Sequence, residues 1–175
     1  MTQPKDPSGS GQPSNQFVLD ANIIFDLHEV GILGHIFRLG FGFVTTNLIE
    51  KELKSVNLVM LKGFGLKVVS ISGTQVAEFY KLKQEYGNGP SPSDLSAFIY
   101  ARDNGIDLIT RDSGLWQVAD NHGVVVHETP KLIQDMIDEG ILDRSEAADY
   151  LERILRNHPV DRLDWRDMIK AWRKR

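Results

Sequence analysis

Cysteine is missing from all 175 residues, which removes disulfide scaffolds, thiolate zinc sites and cysteine nucleophiles together. No apolar run comes near the roughly 18 residues that a membrane span requires, and the N-terminus has no apolar signal segment. A cytoplasmic protein without a membrane partner is therefore expected. An excess of positive charge is lacking as well. The formal net charge of −4 argues against nucleic acid being held over the whole surface. The charge is unevenly placed, because residues 153 to 175 carry eight basic side chains against three acidic ones. That pattern suits either a solvated helix face or a surface for phosphates or an acidic partner. The five histidines, His28, His35, His122, His127 and His158, show no paired ligand spacing, so no zinc site is expected. The glycines at 40–42 and 63–65 lack the further glycines, or the Lys-Ser/Thr, of a nucleotide loop.

What is present is ordinary for a globular domain: 41% apolar and 25% charged residues, in a chain long enough to bury a core unaided. Residues 1–16 are Pro, Ser, Gly and Gln with almost nothing apolar, which predicts a disordered arm. Order is expected from Phe17. The run Phe17-Val18-Leu19 reads as a buried parallel strand. Ile23, Ile24, Leu27, Val30, Ile32 and Leu33 follow at helical spacing, and 41–44 is a candidate strand. Thr45-Thr46-Asn47 then supplies caps for a helix from Leu48 to about Ser55. Further strands are expected over 66–71, 107–110 and 123–127, with helices over 75–86, 93–102 and 114–121. From Pro130 onward the pattern is helical, with a capping box at Asp143 and Glu146. Alternating strands and helices predict an α/β fold with a mostly parallel sheet.

Four acids stand out against that frame. Asp20 ends the first strand, and Asp112 follows the strand at 107–110. Asp94 opens the helix at 93–102. Glu52 falls on the apolar stripe of Leu48, Ile49, Leu53 and Val56, where an unpaired acid is costly, while Glu50 points away. Functional sites of such sheets form beyond the carboxyl ends of the strands. Each acid also has an ordinary explanation, since aspartates favour helix starts and turns. Unpaired carboxylates gathered at one edge repel one another unless cations intervene. Hard oxygen donors suit Mg²⁺ or Mn²⁺. Phe25, Phe98 and Trp116 suit core or helix-packing roles better than base stacking.

These segments together resemble the PIN domain family. Residues 17–22 (FVLDAN) look like its first strand and leading aspartate, and 45–53 (TTNLIEKEL) its second motif, in which the acid before leucine selects Glu52. Residues 92–97 (PSDLSA) resemble the third motif and 108–112 (LITRD) the fourth. The likeness covers roughly 17–126, and the further acid that some members carry after the fourth motif is absent here. It implies a three-layer α/β/α sandwich over 17–129 with extra C-terminal helices over 130–175. It implies a metal-dependent endoribonuclease, with Asp20, Asp94 and Asp112 holding Mg²⁺ or Mn²⁺ and Glu52 a ligand or the orienter of a water. Asn22 and Thr110 would hydrogen-bond the carboxylates. The chain length resembles that of VapC-type toxins, which implies an RNA substrate, a cognate antitoxin and a possible homodimer. The apolar helices around Ile23 to Leu39 are the expected partner surface. Two alternatives remain: a catalytically degenerate PIN module serving as a protein- or RNA-binding scaffold, and a phosphatase using Asp20 as nucleophile. The second is disfavoured because Asn22 stands where its second aspartate belongs.

Overall fold

A computed structural model describes residues 15–87, 89–158 and 163–174. Five short strands form one sheet: β1 (Gln16–Leu19), β2 (Gly42–Thr46), β3 (Lys67–Val69), β4 (Asp107–Ile109) and β5 (Val126–His127). Every pairing is parallel and the order is β3-β2-β1-β4-β5, in keeping with the expected α/β class. Parallel strands need crossovers and end up covered on both faces. Continuous apolar strands follow from that, and Phe17, Val18 and Leu19 are all buried.

The helices are α1 (Ala21–Glu29), α2 (Asn47–Glu50), α3 (Leu58–Phe64), α4 (Gly73–Tyr86), α5 (Pro92–Asn104), α6 (Ser113–Asn121), α7 (Thr129–Asp138), α8 (Arg144–Asn157) and α9 (Leu163–Arg173), with a 3-10 helix at Leu33–Leu39. The chain winds from β1 outward to β3, then returns to place β4 on the other side of β1. Right-handed crossovers in the two directions put their helices on opposite faces of the sheet. On one face α5 lies across β1, β2 and β4, between α4 and α6. Elsewhere α1, the 3-10 helix and α7 pack on one another, and α8 and α9 build outward from α7. The buried core runs without a break from Phe17 to Trp172. Among the described residues no helix is long and apolar enough to cross a membrane.

Several local expectations need correction. Of the arm expected over 1–16, residues 1–14 lie outside the described residues, while Gln16 opens β1 and pairs with Gly42. The helix expected from Leu48 to Ser55 ends at Glu50, and residues 51–57 continue as turns that still bury Leu53 and Val56. A seven-residue helix, α3, follows, closed by Asn57 at its start and left-handed Gly65 at its end. It buries only Leu61 and leaves Val59, Met60 and Phe64 exposed, so its apolar pattern carries little helical signal. The strand expected over 123–127 shrinks to two residues. Gly123 takes φ 69° to close α6, with Val124 N–H donating back to the Ala119 carbonyl at 2.9 Å. Between Ile23 and Leu39 the side chains of Ile23, Ile24, Leu27, Val30, Ile32, Leu33, Ile36 and Leu39 are buried in the core, while Phe25 and Phe37 are only partly buried. Trp116, expected in packing, is 43% exposed.

Candidate active site

β1 and β4 are neighbours, but the helices that follow them depart to opposite faces. Their carboxyl ends therefore mark the topological switch point of the sheet, where ligands of such folds commonly bind. The register Leu19 to Ile109 sets Asp20 beside Thr110, and the Asp20 N–H donates to the Ile109 carbonyl at 3.1 Å. Asp20 is 1% exposed. One carboxylate oxygen caps α1 through the Ala21 N–H at 2.7 Å. The other accepts from Asn22 Nδ2 at 2.5 Å and from the Thr110 hydroxyl at 2.7 Å. Asn22 Oδ1 in turn accepts the Arg111 N–H at 3.2 Å, and Thr110 Oγ1 the Asp112 N–H at 3.1 Å. Asn22 and Thr110 thus lock the α1 start to the β4–α6 loop around one carboxylate. Burial pushes the Asp20 carboxyl from its ordinary 3.8 up to about 7; repulsion from Asp94, and to a lesser degree Asp112, acts in the same direction. The bonds from Thr110 and Ala21 oppose that rise.

The other two aspartates both start helices. Asp94 completes a capping box on α5: its Oδ2 accepts the Ser91 N–H at 2.6 Å, and Ser91 Oγ accepts the Asp94 N–H at 3.2 Å. Asp112 caps α6, its Oδ1 accepting the Leu115 N–H at 2.7 Å. Each spends one oxygen on its helix, where a negative charge also meets the positive end of the macrodipole. Asp94 Oδ1 and Asp112 Oδ2 have no hydrogen-bond partner among the described residues. Gly114 keeps the Asp112 side close to the loop before α5. A Cβ there would lie 3.2 Å from Asp112 Oδ1 and 3.6 Å from Pro90.

Glu52 is not on an inward stripe. It sits exposed in the turn after α2, yet its carboxylate accepts a hydrogen bond from the hydroxyl of Ser93, one residue before Asp94. Glu50 turns away, as expected, to pair with Lys62 at 2.6 Å. Nearby, the Thr46 and Ser96 hydroxyls hydrogen-bond at 2.6 Å, tying β2 to α5. The buried Asn47 Oδ1 has no partner among the described residues, an uncommon state for a polar atom.

Asp94 and Asp112 therefore both repel the charge of the buried Asp20, with Glu52 alongside α5. They are not drawn into a closed cluster. Among the described residues no three His, Asp or Glu side chains stand close enough to enclose a metal ion as they are. The donor chemistry nonetheless fits a divalent cation. All the candidates are hard oxygens, and the buried Asp20 is held in repulsion with its acidic neighbours.

A residue missed by the sequence reading is Asp26. It lies fully buried on α1, with both oxygens bound by Arg111 Nε at 3.0 and 3.1 Å, and one also accepting the Thr129 hydroxyl at 3.0 Å. Burial raises its pKa, and Arg111 opposes the rise. The same argument applied to Glu52, an acid set among apolar helix positions, would have found it between Ile23, Ile24 and Leu27. Arg111 lies between Thr110 and Asp112, so this pair anchors the loop that carries the fourth acid.

No family profile matches the chain, and no curated protein matches it in sequence. Among solved structures it is similar to a PilT N-terminus domain protein from the hyperthermophilic archaeon Sulfolobus solfataricus P2. The identity is 18%, the match covers 67% of this chain and 89% of that one, and the TM-score is 0.48.

Proposed function

We propose that this chain is a nuclease-type α/β protein that hydrolyses RNA phosphodiester bonds with the help of Mg²⁺ or Mn²⁺. The observation that carries the reading is the Asp20 carboxylate. It is buried at the switch point of a parallel sheet, raised toward neutrality, and in repulsion with Asp94 and Asp112. A fold keeps such an arrangement where a cation relieves it. Asp20, Asp94 and Asp112 would hold the ion, Asp94 and Asp112 through the oxygens their caps leave free. A divalent ion there supplies charge neutralisation at the scissile phosphate and a nucleophilic water at neutral pH. Asn22 and Thr110 fix the Asp20 rotamer. Glu52, steadied by Ser93, is the group that orients a water. The motif resemblance at residues 17–22, 45–53, 92–97 and 108–112 supports the same assignment. It also suggests a toxin neutralised by a cognate antitoxin in the cytoplasm, with an arginine of that partner compensating the acids; a second copy of the chain is the other partner to test.

The test is Asp94→Asn. Mn²⁺ should raise the melting temperature of the unaltered protein, as ligand linkage requires. The variant should lose that rise together with Mn²⁺-dependent cleavage of single-stranded RNA. Cleavage retained by the variant ends the assignment. One observation favours a second reading, a degenerate module that binds without cleaving: the acids do not enclose an ion as they stand. In that case Mn²⁺ leaves the melting temperature of the unaltered protein where it was.

A further inference from the structure

α8 and α9 pack side by side and leave a groove of about 450 Å³ between them. Leu155 and Ile169 form its floor; Arg156, Arg166, Lys170 and Arg173 line it with positive charge. The one acid in the lining, Glu152, is taken up at 3.0 Å by Arg173, which also pairs with Asp149 at 2.9 Å, and is approached by Arg156 at 3.9 Å. Lys170 makes only an exposed contact with Asp167 at 2.9 Å, and Arg166 has no ion pair among the described residues. The groove is therefore locally cationic on a chain whose net charge is −4.

Its position connects it to the candidate site. Arg156 is two residues before His158, whose Nε2 lies 3.1 Å from Glu29 and 3.6 Å from Asp26 on α1. Asp26 holds Arg111, the neighbour of Asp112. The helix that lines the groove is thus linked, through His158, Asp26 and Arg111, to the β4–α6 loop. We infer that this groove binds the phosphate backbone of a single-stranded nucleic acid, the same strand that reaches the carboxylates. Three of the four cations are arginines, which grip phosphate with paired N–H donors. A cationic groove that tracks the backbone is the usual device for single strands. The inference takes its ligand class from the nuclease reading.

The experiment measures binding of a fluorescein-labelled U12 RNA to the full chain in EDTA, across a salt series. With Arg173 held by its two acids, the three remaining cations, Arg156, Arg166 and Lys170, predict a log–log salt slope of about −2, at roughly 0.7 per phosphate contact. Arg166→Glu should weaken binding at least five-fold and flatten the slope. Arg153→Glu makes the same charge change on the exposed side of α8, outside the groove, and should weaken binding less than two-fold. Arg166 is exposed, and an unchanged melting temperature checks that its variant is folded. Equal losses from both variants, or no loss from either, overturn the groove. A poly-glutamate competitor that displaces the RNA at matched charge also overturns it, in favour of an acidic protein. Binding that behaves as expected while Mn²⁺-dependent cleavage is absent keeps the groove and sinks only the nuclease reading.

Discussion

Replacing Asp20 by asparagine is the sharpest test of the electrostatics on which the site depends. The carboxyl titrates near 7 in the folded chain against an ordinary 3.8. Between those values the folded state holds a proton that the unfolded state has released, so stability falls as pH rises through this window. Below about pH 4 the group is neutral in both states and costs nothing. Above about pH 7 it is ionised in both and the full cost applies. At about 1.36 kcal/mol per pKa unit, the ceiling on that cost is roughly 4 kcal/mol. The substitution gives part of this back. The new amide offers a single acceptor oxygen where Ala21, Asn22 and Thr110 all donated, and leaving a buried donor unmet costs about 1–2 kcal/mol. Asp20→Asn should therefore stabilise the protein by about 2 kcal/mol at pH 8 and give no gain, or a small loss, at pH 4. Urea unfolding in EDTA at pH 4, 6, 8 and 9 measures the difference, and other carboxylates cancel because both proteins share them. Mn²⁺ at pH 8 should close the gap by stabilising only the unaltered chain. A difference independent of pH, or one that grows as pH falls, would refute the reasoning.

The buried pair predicts an asymmetry. Arg111→Ala leaves the fully buried Asp26 charge with Thr129 and His158 alone and should cost about 3 kcal/mol, whereas Asp26→Asn keeps the Thr129 bond, leaves Arg111 partly in water, and should cost about 1 kcal/mol. Chemical denaturation checks the order, and a reversed order rejects the account of that pair. Gly114→Ala adds a methyl 3.2 Å from Asp112 Oδ1 while improving a helical position by up to about 1 kcal/mol. The melting temperature should hold or rise while the Mn²⁺-induced increase shrinks, and a full Mn²⁺ response would show that Asp112 takes no part.

Much of this arrangement is local in origin and was legible in the chain itself. An apolar run ending in aspartate marks β1 and Asp20. Ser91-Pro92-Ser93-Asp94 and Asp112-Ser113-Gly114 mark helix starts, because capping is decided within four residues. Alternating periods point to a parallel sheet, and the carboxyl edge of such a sheet is where functional residues are to be sought. The environment of Glu52 was misread because the helix supposed to carry it stops at Glu50, leaving it to reach Ser93 across 41 residues. The Asp26–Arg111 pair escaped notice because its partners are 85 residues apart.

The amino-acid sequence by itself marked Asp20, Asp94 and Asp112 as strand-end and helix-start residues, since capping is decided largely within four residues. Only the tertiary structure decided which of their oxygens are spent on capping, how deeply Asp20 is buried, and that Asp94 and Asp112 repel it without closing around an ion. The physical reason is that burial and pairing depend on contacts between segments far apart in the chain, and side-chain rotamers settle only once those segments have packed.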